Sequence, residues 1–200
     1  MTTSPWPDEP PPCPRTLDDV LAYVFTRLTA GVSDRASPYR LPVLASQGAD
    51  GGPDLRTVVL RGFAAHERTA LIHTDRRTPK CAELRANPRA ALLVHDAASN
   101  VQVRLWGTAT LHENDEIAEA AWAATGPGQM VNYATQPAPG AFVPSPPALP
   151  EASPAQARAN FAVVRLGFHA LEFLWLSRRG HWRARFEWAG GQLIANWQMP

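Results

Sequence analysis

A mainly β chain, folded as an antiparallel barrel or sandwich with peripheral helices, is the class this sequence predicts, and three observations carry the prediction. Short apolar runs recur from residue 39 onward, bounded by turn-type clusters such as Gly48-Ala49-Asp50-Gly51-Gly52, Arg178-Arg179-Gly180 and Ala189-Gly190-Gly191. Helical periodicity is confined to a few stretches between them. Neither strand-helix-strand alternation nor a GxGxxG pattern occurs, which disfavours a dinucleotide-binding parallel sheet.

Composition bounds the function. The 200 residues, 45% of them hydrophobic, can bury one core, so a single domain is expected over 16–200 behind a proline-rich tail at 1–15. A formal net charge of +1 argues against a broad nucleic-acid-binding face. No apolar run is long enough for a membrane span, and the proline- and acid-rich start lacks the order of a signal peptide, so a cytoplasmic location is expected. Cys13 and Cys81 make no disulfide framework, and Cys81 reads as a small packed residue. The histidines show no metal-ligand spacing, so no metal is expected.

In chain order, Thr16-Leu17-Asp18-Asp19 caps a helix whose Leu17, Val20, Leu21, Val24, Phe25 and Leu28 form an apolar stripe, with Gly31 as its expected end. Strands are expected over Tyr39 to Ser46, Leu55 to Phe63 and Thr69 to Thr74. Thr78-Pro79 then reads as an N-cap and first helical turn opening Lys80 to Arg85. Strands at Ala90 to His95 and Val101 to Leu111 precede a helix from about Glu113 to Ala124. Fourteen of the twenty prolines lie in Met1 to Pro14 and Gly126 to Pro154, the second stretch being a long loop of the kind used as a lid or a partner-wrapping arm. Phe161 to Phe168, Ala170 to Ser177, His181 to Trp188 and Gln192 to Trp197 complete the strands.

The candidate chemistry is cationic. Every basic side chain but one is arginine, and the exception, Lys80, closes Arg76-Arg77-Thr78-Pro79-Lys80 at a helix start, where free N–H groups, an ammonium and a hydroxyl suit a phosphate. The plain alternative is a solvated basic helix start. Arg56 and Arg61 bracket one strand but alternate to opposite faces, so either a bulge intervenes or one of them lies past the strand end. Period two places Gln102, Arg104 and Trp106 together on one strand and His181, Arg183, Arg185 and Glu187 together on another, opposite an apolar Trp182-Ala184-Phe186-Trp188 face. No nucleophile elbow, zinc-protease motif or Walker sequence is present.

Arg56-x4-Arg61, His73-Thr74, Thr78-Pro79-Lys80, Gln102-Val103, Trp175 and His181-x-Arg183-x-Arg185, in that order, resemble the FMN-binding split barrels of the pyridoxamine 5′-phosphate oxidase family over roughly Arg40 to the C-terminus. That resemblance implies an antiparallel split β-barrel and a homodimer with FMN at its interface. It further implies that Arg56, Arg61, His73 and Thr74 reach the flavin, that Thr78 and Lys80 hold its phosphate, and that Gln102, Trp175 and Arg185 approach it from the partner or the rim. His181 and Arg183 fall at the family's substrate positions in exchanged order, and Gly126-Pro127-Gly128 stands where a substrate-phosphate clamp is expected. The implied function is therefore a divergent FMN-dependent oxidoreductase acting on an unidentified small substrate. The alternatives are a non-catalytic flavin or haem binding module, a genuine pyridoxamine/pyridoxine 5′-phosphate oxidase, and a nucleotide-binding barrel.

Overall fold

Thr16 opens helix α1 (Leu17–Ser33) with a reciprocal cap: its hydroxyl accepts from the Asp19 N–H at 3.1 Å, and the Asp19 carboxylate accepts from the Thr16 N–H at 3.1 Å. Val20, Val24 and Leu28, one per turn, are buried, and Phe25 packs among Phe63, Phe168 and Trp188. Gly31 does not end the helix. It lies inside the last turns, where a Cβ would sit 2.7 Å from the Tyr39 carbonyl carbon, so its small size admits the 3-10 turn Pro38–Arg40 against the helix. That turn also shortens the strand expected to begin at Tyr39.

The computed structural model describes residues 14–146, 153–177 and 180–200; Cys13, Arg178, Arg179, the start of the tail and part of the proline-rich loop lie outside them. The described strands are β1 (Val43–Gln47), β2 (Pro53–Thr57), β3 (Leu60–Ala64), β4 (Thr69–Asp75), β5 (Arg89–Asp96), β6 (Val101–His112), β7 (Phe161–Trp175), β8 (Trp182–Ala189) and β9 (Gln192–Gln198). They form one antiparallel sheet in the order β2-β1-β5-β6-β7-β4-β3, with β8 on β7 and β9 on β8, and the sheet does not close.

β7 splits the sheet. Its one edge pairs with β6 almost throughout, while the other pairs with β4 over Phe161 to Gly167 and with β8 over Ala170 to Trp175. Two strands were expected here. The chain instead runs through His169 as the extra residue of a bulge opposite Trp106-Gly107. A Cβ on Gly107 would lie 2.2 Å from the Gly167 carbonyl oxygen, so the close approach of the two backbones demands glycine.

The single strand expected over Leu55 to Phe63 is also revised. It breaks at Val58-Val59, whose first residue donates its N–H to the Pro42 carbonyl, and the halves become β2 and β3 at opposite ends of the sheet path. Between Leu60 and Gly62 the register with β4 shifts, which makes Arg61 a bulge residue. The alternation problem posed by Arg56 and Arg61 is resolved by both a strand break and a bulge.

Alternating Leu44, Leu92, Val94, Val103, Leu105, Leu171, Phe173 and Phe186 point into the main core, which α1 covers. A second, smaller core of Tyr133, Ala157, Phe161 and Val163, with Trp122 against it, lies beneath helices α3 (Glu116–Ala123), α4 (Pro127–Met130) and α5 (Pro154–Asn160). Helix α2 (Pro79–Ala86) follows β4, with the basic cluster at its start.

Candidate functional site

The candidate residues gather around the two ends of β7. At its N-terminal end, β4 sets His73 opposite Val163 and Thr74 opposite Ala162, and the chain turns directly into α2. Lys80 Nζ donates to Thr74 Oγ1 at 3.1 Å, and the Thr74 and Thr78 hydroxyls lie 3.4 Å apart. Thr78 stands at the N-cap as expected, but its hydroxyl donates backward to the Asp75 carbonyl at 2.7 Å instead of accepting from the first helical turn. Cys81 is buried behind this group, and burial pushes its thiol up, away from reactivity.

Charge pairing around α2 is selective. Arg77 is held by Asp75 at 2.6 Å and by the Thr135 carbonyl at 3.0 Å, and Arg76 by Glu113 at 3.2 Å. Arg56 reaches from β2 to Glu83 of α2 at 2.8 Å and to Asp54 at 2.5 Å, with Ser46 bridging to the same Glu83 oxygen at 2.6 Å. Lys80 and Arg61 form no ion pair among the described residues, and burial works against the charge of each. His73 lies on the other face of β4 from Thr74, against the Phe161 ring at a centroid distance of 5.0 Å. Burial, then the nearby charge of Arg61, pushes its imidazole down to about 4, so the ring is neutral at pH 7 and its buried Nδ1 has no hydrogen-bond partner.

At the C-terminal end, Gln102 of β6 faces Leu174, which faces Arg183 of β8, while Arg104 faces Glu172, which faces Arg185. Glu172 is 3% exposed and takes both Arg104 and Arg183, the latter at 2.8 Å. Burial alone would push its carboxyl up, but the hydrogen bonds from Arg183 and Arg104 outweigh it and hold the group below the ordinary glutamate range. The Arg104 and Arg185 guanidiniums lie 4.8 and 4.3 Å from the Trp106 ring centroid, and Arg185 also pairs with Glu187 at 3.0 Å. A cleft of 430 Å³ lies over Ala45, Ser46, Trp106, His169 and Arg185. His181 precedes β8, and its Nδ1 accepts from the Ser177 N–H at 3.1 Å.

Trp175 stands apart. It pairs with Val101 and Trp182, on the core side of the sheet, is 3% exposed, and has a buried Nε1 with no partner. The structure thus unites Arg56, Thr74, Thr78 and Lys80 through α2, sets His73 with Arg61, and gathers Gln102, Arg183 and Arg185 on one sheet face. It sets His73 and Gln102 beside opposite ends of β7. Sequence reading missed Glu83 and Glu172, the carboxylates that organise the arginines. The visible signal for Glu172 is a carboxylate inside the apolar run Ala170 to Trp175, but its partners depend on strand register.

A family model described as pyridoxamine 5′-phosphate oxidase matches residues 38–161. The pyridoxine/pyridoxamine 5′-phosphate oxidase of Nitrobacter winogradskyi is 45% identical over 67 residues, covering 34% of this chain and 30% of that protein. Its counterpart in Caulobacter vibrioides is 35% identical over 99 residues, 50% of this chain and 43% of that protein, so the match spans less than half of either relative. Among solved structures, a pyridoxamine 5′-phosphate oxidase-related, FMN binding protein from Nostoc punctiforme superposes with a TM-score of 0.70 at 23% identity over 90% of this chain and 96% of that one. PhzG from Burkholderia lata, solved with tetrahydrophenazine-1-carboxylic acid, gives 0.64 at 20% identity over 97% and 94%. These likenesses establish the antiparallel split-barrel fold.

Proposed function

This chain belongs to the pyridoxamine 5′-phosphate oxidase family, and from that premise we propose that it binds FMN and acts as a flavin-dependent oxidoreductase. The observation that carries the reading is the unpaired positive charge around α2. Lys80 retains two donors beyond the one given to Thr74 and has no carboxylate partner among the described residues, which suits a terminal phosphate at a helix start. Arg61, also without an ion pair there, and the unpartnered Nδ1 of neutral His73 suit a ring system edged with carbonyl and ring-nitrogen acceptors. The residues present therefore fit the cofactor. FMN, when bound, supplies the hydride or electron transfer that no side chain here provides.

The chain's own residues position and shield. Thr74, Thr78 and Lys80 fix the phosphate, Arg56 is held ready beside it by Glu83, and the Tyr133-Phe161-Trp122 cluster keeps water from His73. Val163, beside His73, and Leu174, beside Gln102, are eleven residues apart on β7, about 36 Å for an extended strand at about 3.3 Å per residue. One mononucleotide does not span that distance. The separation supports a two-fold homodimer in which Gln102, Arg185 and the substrate residues His181 and Arg183 of one chain complete the site of the other.

Pyridoxamine 5′-phosphate is not the expected substrate. The segment where a second phosphate clamp is expected holds Gly126 and α4, without a cation, and Arg183 is already shared with Glu172. The reading is tested by fluorescence-quenching titration with FMN and riboflavin, followed by anaerobic reduction with NADH, NADPH or pyridoxamine 5′-phosphate. FMN should bind at least about tenfold more tightly, the value of one charge-assisted contact of about 1.5 kcal/mol. Equal affinity for the two flavins would sink the phosphate assignment, and flavin that no donor reduces would leave a binding module.

A further inference from the structure

Between the β1–β2 hairpin and α2 lies a groove of 540 Å³ whose walls include Gln47, Pro79, Ala82, Glu83, Ala86 and Asn87. Its polar side chains satisfy one another. Asn87 Nδ2 donates to Gln47 Oε1 at 2.7 Å, Gln47 Nε2 donates to the Gly51 carbonyl at 3.1 Å, and Glu83 is taken by Arg56 and Ser46. What remains is apolar. Pro79, Ala82 and Ala86 recur at the spacing of one helix face, and all three are exposed.

The chain beyond the 3-10 turn Val131–Tyr133 runs to the mouth of this groove. It is tied twice to the start of α2. Arg77 gives a terminal nitrogen to the Thr135 carbonyl at 3.0 Å, and Gly140 lies so close to Pro79 that a Cβ there would meet Cδ at 3.3 Å. A turn closed by the Ala141 N–H and the Ala138 carbonyl at 3.1 Å has Pro139 and Gly140 at its centre. Gly140 has a φ of +90°, which strains any residue with a Cβ. Directly after this turn Phe142 is 105% exposed and Val143 42%.

An apolar ring and an apolar groove therefore both stand in water beside the same contact. Phe142, two residues past Gly140, extends about 7 Å from that anchor on Pro79. Ala82 and Ala86 lie about 4.5 and 10 Å along the helix from the same proline, at about 1.5 Å per residue. We propose that residues 134–143 are a strap whose Phe142 closes into the groove against Ala82 and Ala86, and that closure retains a phosphorylated ligand at the start of α2. Burial of the phenyl ring drives the closure, since the groove's polar groups already have partners and reward no polar occupant. The two ties bracket Thr78 and adjoin Lys80, so pinning the strap along α2 restrains the residues assigned to the phosphate. As a closing contact the strap stands without the flavin reading; as a gate on FMN it rests on that reading.

The test uses the full chain carrying Cys13→Ser, in which the other cysteine, Cys81, is buried. Phe142→Cys is combined with Ala86→Cys on the groove face or, as control, with Arg85→Cys, which is exposed and about 100° round the helix. Under diamide the Ala86 pair should cross-link at least about fivefold faster, because a disulfide needs Cα atoms within about 7 Å. Equal rates would overturn the strap. With the cysteines left natural, Phe142→Ala and Ala82→Glu should each speed FMN release by about tenfold, read as flavin fluorescence regained on dilution, and together by no more than either alone. Release at the parental rate in both variants would overturn the gate. Selective cross-linking in a chain that takes no FMN would uphold the closing contact while removing the flavin reading. FMN bound by a chain whose two pairs cross-link equally would remove the strap alone.

Discussion

The two ends of β7 treat positive charge differently. At the C-terminal end the arginines are spoken for: Glu172 takes Arg104 and Arg183, and Arg185 has Glu187 and the face of Trp106. At the N-terminal end Arg56, Arg76 and Arg77 have carboxylates, yet Lys80 has a hydroxyl and Arg61 has no ion pair among the described residues. A buried cation without a counter-ion costs folding free energy, so a chain that keeps one leaves a place where an arriving anion is rewarded. The difference separates arginines whose charge is already matched within the chain from cations whose charge is left for a ligand.

The largest effect is expected where charge is compensated. Glu172→Gln leaves two guanidiniums facing each other across β7 without their carboxylate, and should cost about 3 kcal/mol of stability, the low end for breaking a buried pair because both arginines are about a third exposed. Urea denaturation at pH 7 measures it, and a midpoint unchanged from the parent would erase the contrast between the two ends.

Lys80→Ala should behave in the opposite way. It removes a desolvated ammonium with no carboxylate, so stability should move by no more than about 1 kcal/mol, while FMN affinity should fall by about 10- to 150-fold, equivalent to about 1.5–3 kcal/mol. Parallel denaturation and flavin titrations check the pair of outcomes. A variant that unfolds easily but keeps its flavin would reverse the roles assigned to the two ends.

At neutral pH the smallest effect is that of His73, whose contribution emerges only on acidification. In the unfolded chain its imidazole takes a proton below about 6.5, in the fold only near 4, so over that window the unfolded state binds more protons and stability falls as the solution is acidified. His73→Phe, which keeps a ring against Phe161, should flatten the slope of urea midpoint against pH between 6.5 and 4. An identical slope in parent and variant would place the titration elsewhere.

Local chemistry made much of this legible. The Thr16 capping box, the apolar stripe of α1, the proline-opened α2 and the period-two faces of β6 and β8 are short-range patterns, and each appears where its residues require. Boundaries set by distant backbone were not legible. Gly31 reads as a helix stop until Tyr39 is packed against it, and His169 reads as a break between strands until β6 pairs through the bulge.

By itself, then, the sequence determined which groups carry charge and on which face of their own element they lie, because side-chain direction follows from backbone period. Only the tertiary structure decided which cations are neutralised, because Arg56 meets Glu83 across 27 residues of chain and Arg104 meets Glu172 across 68. It also decided that Trp175 turns inward, away from the site the resemblance implied for it, since the register of β7 against β6 and β8 fixes every side chain on those strands at once.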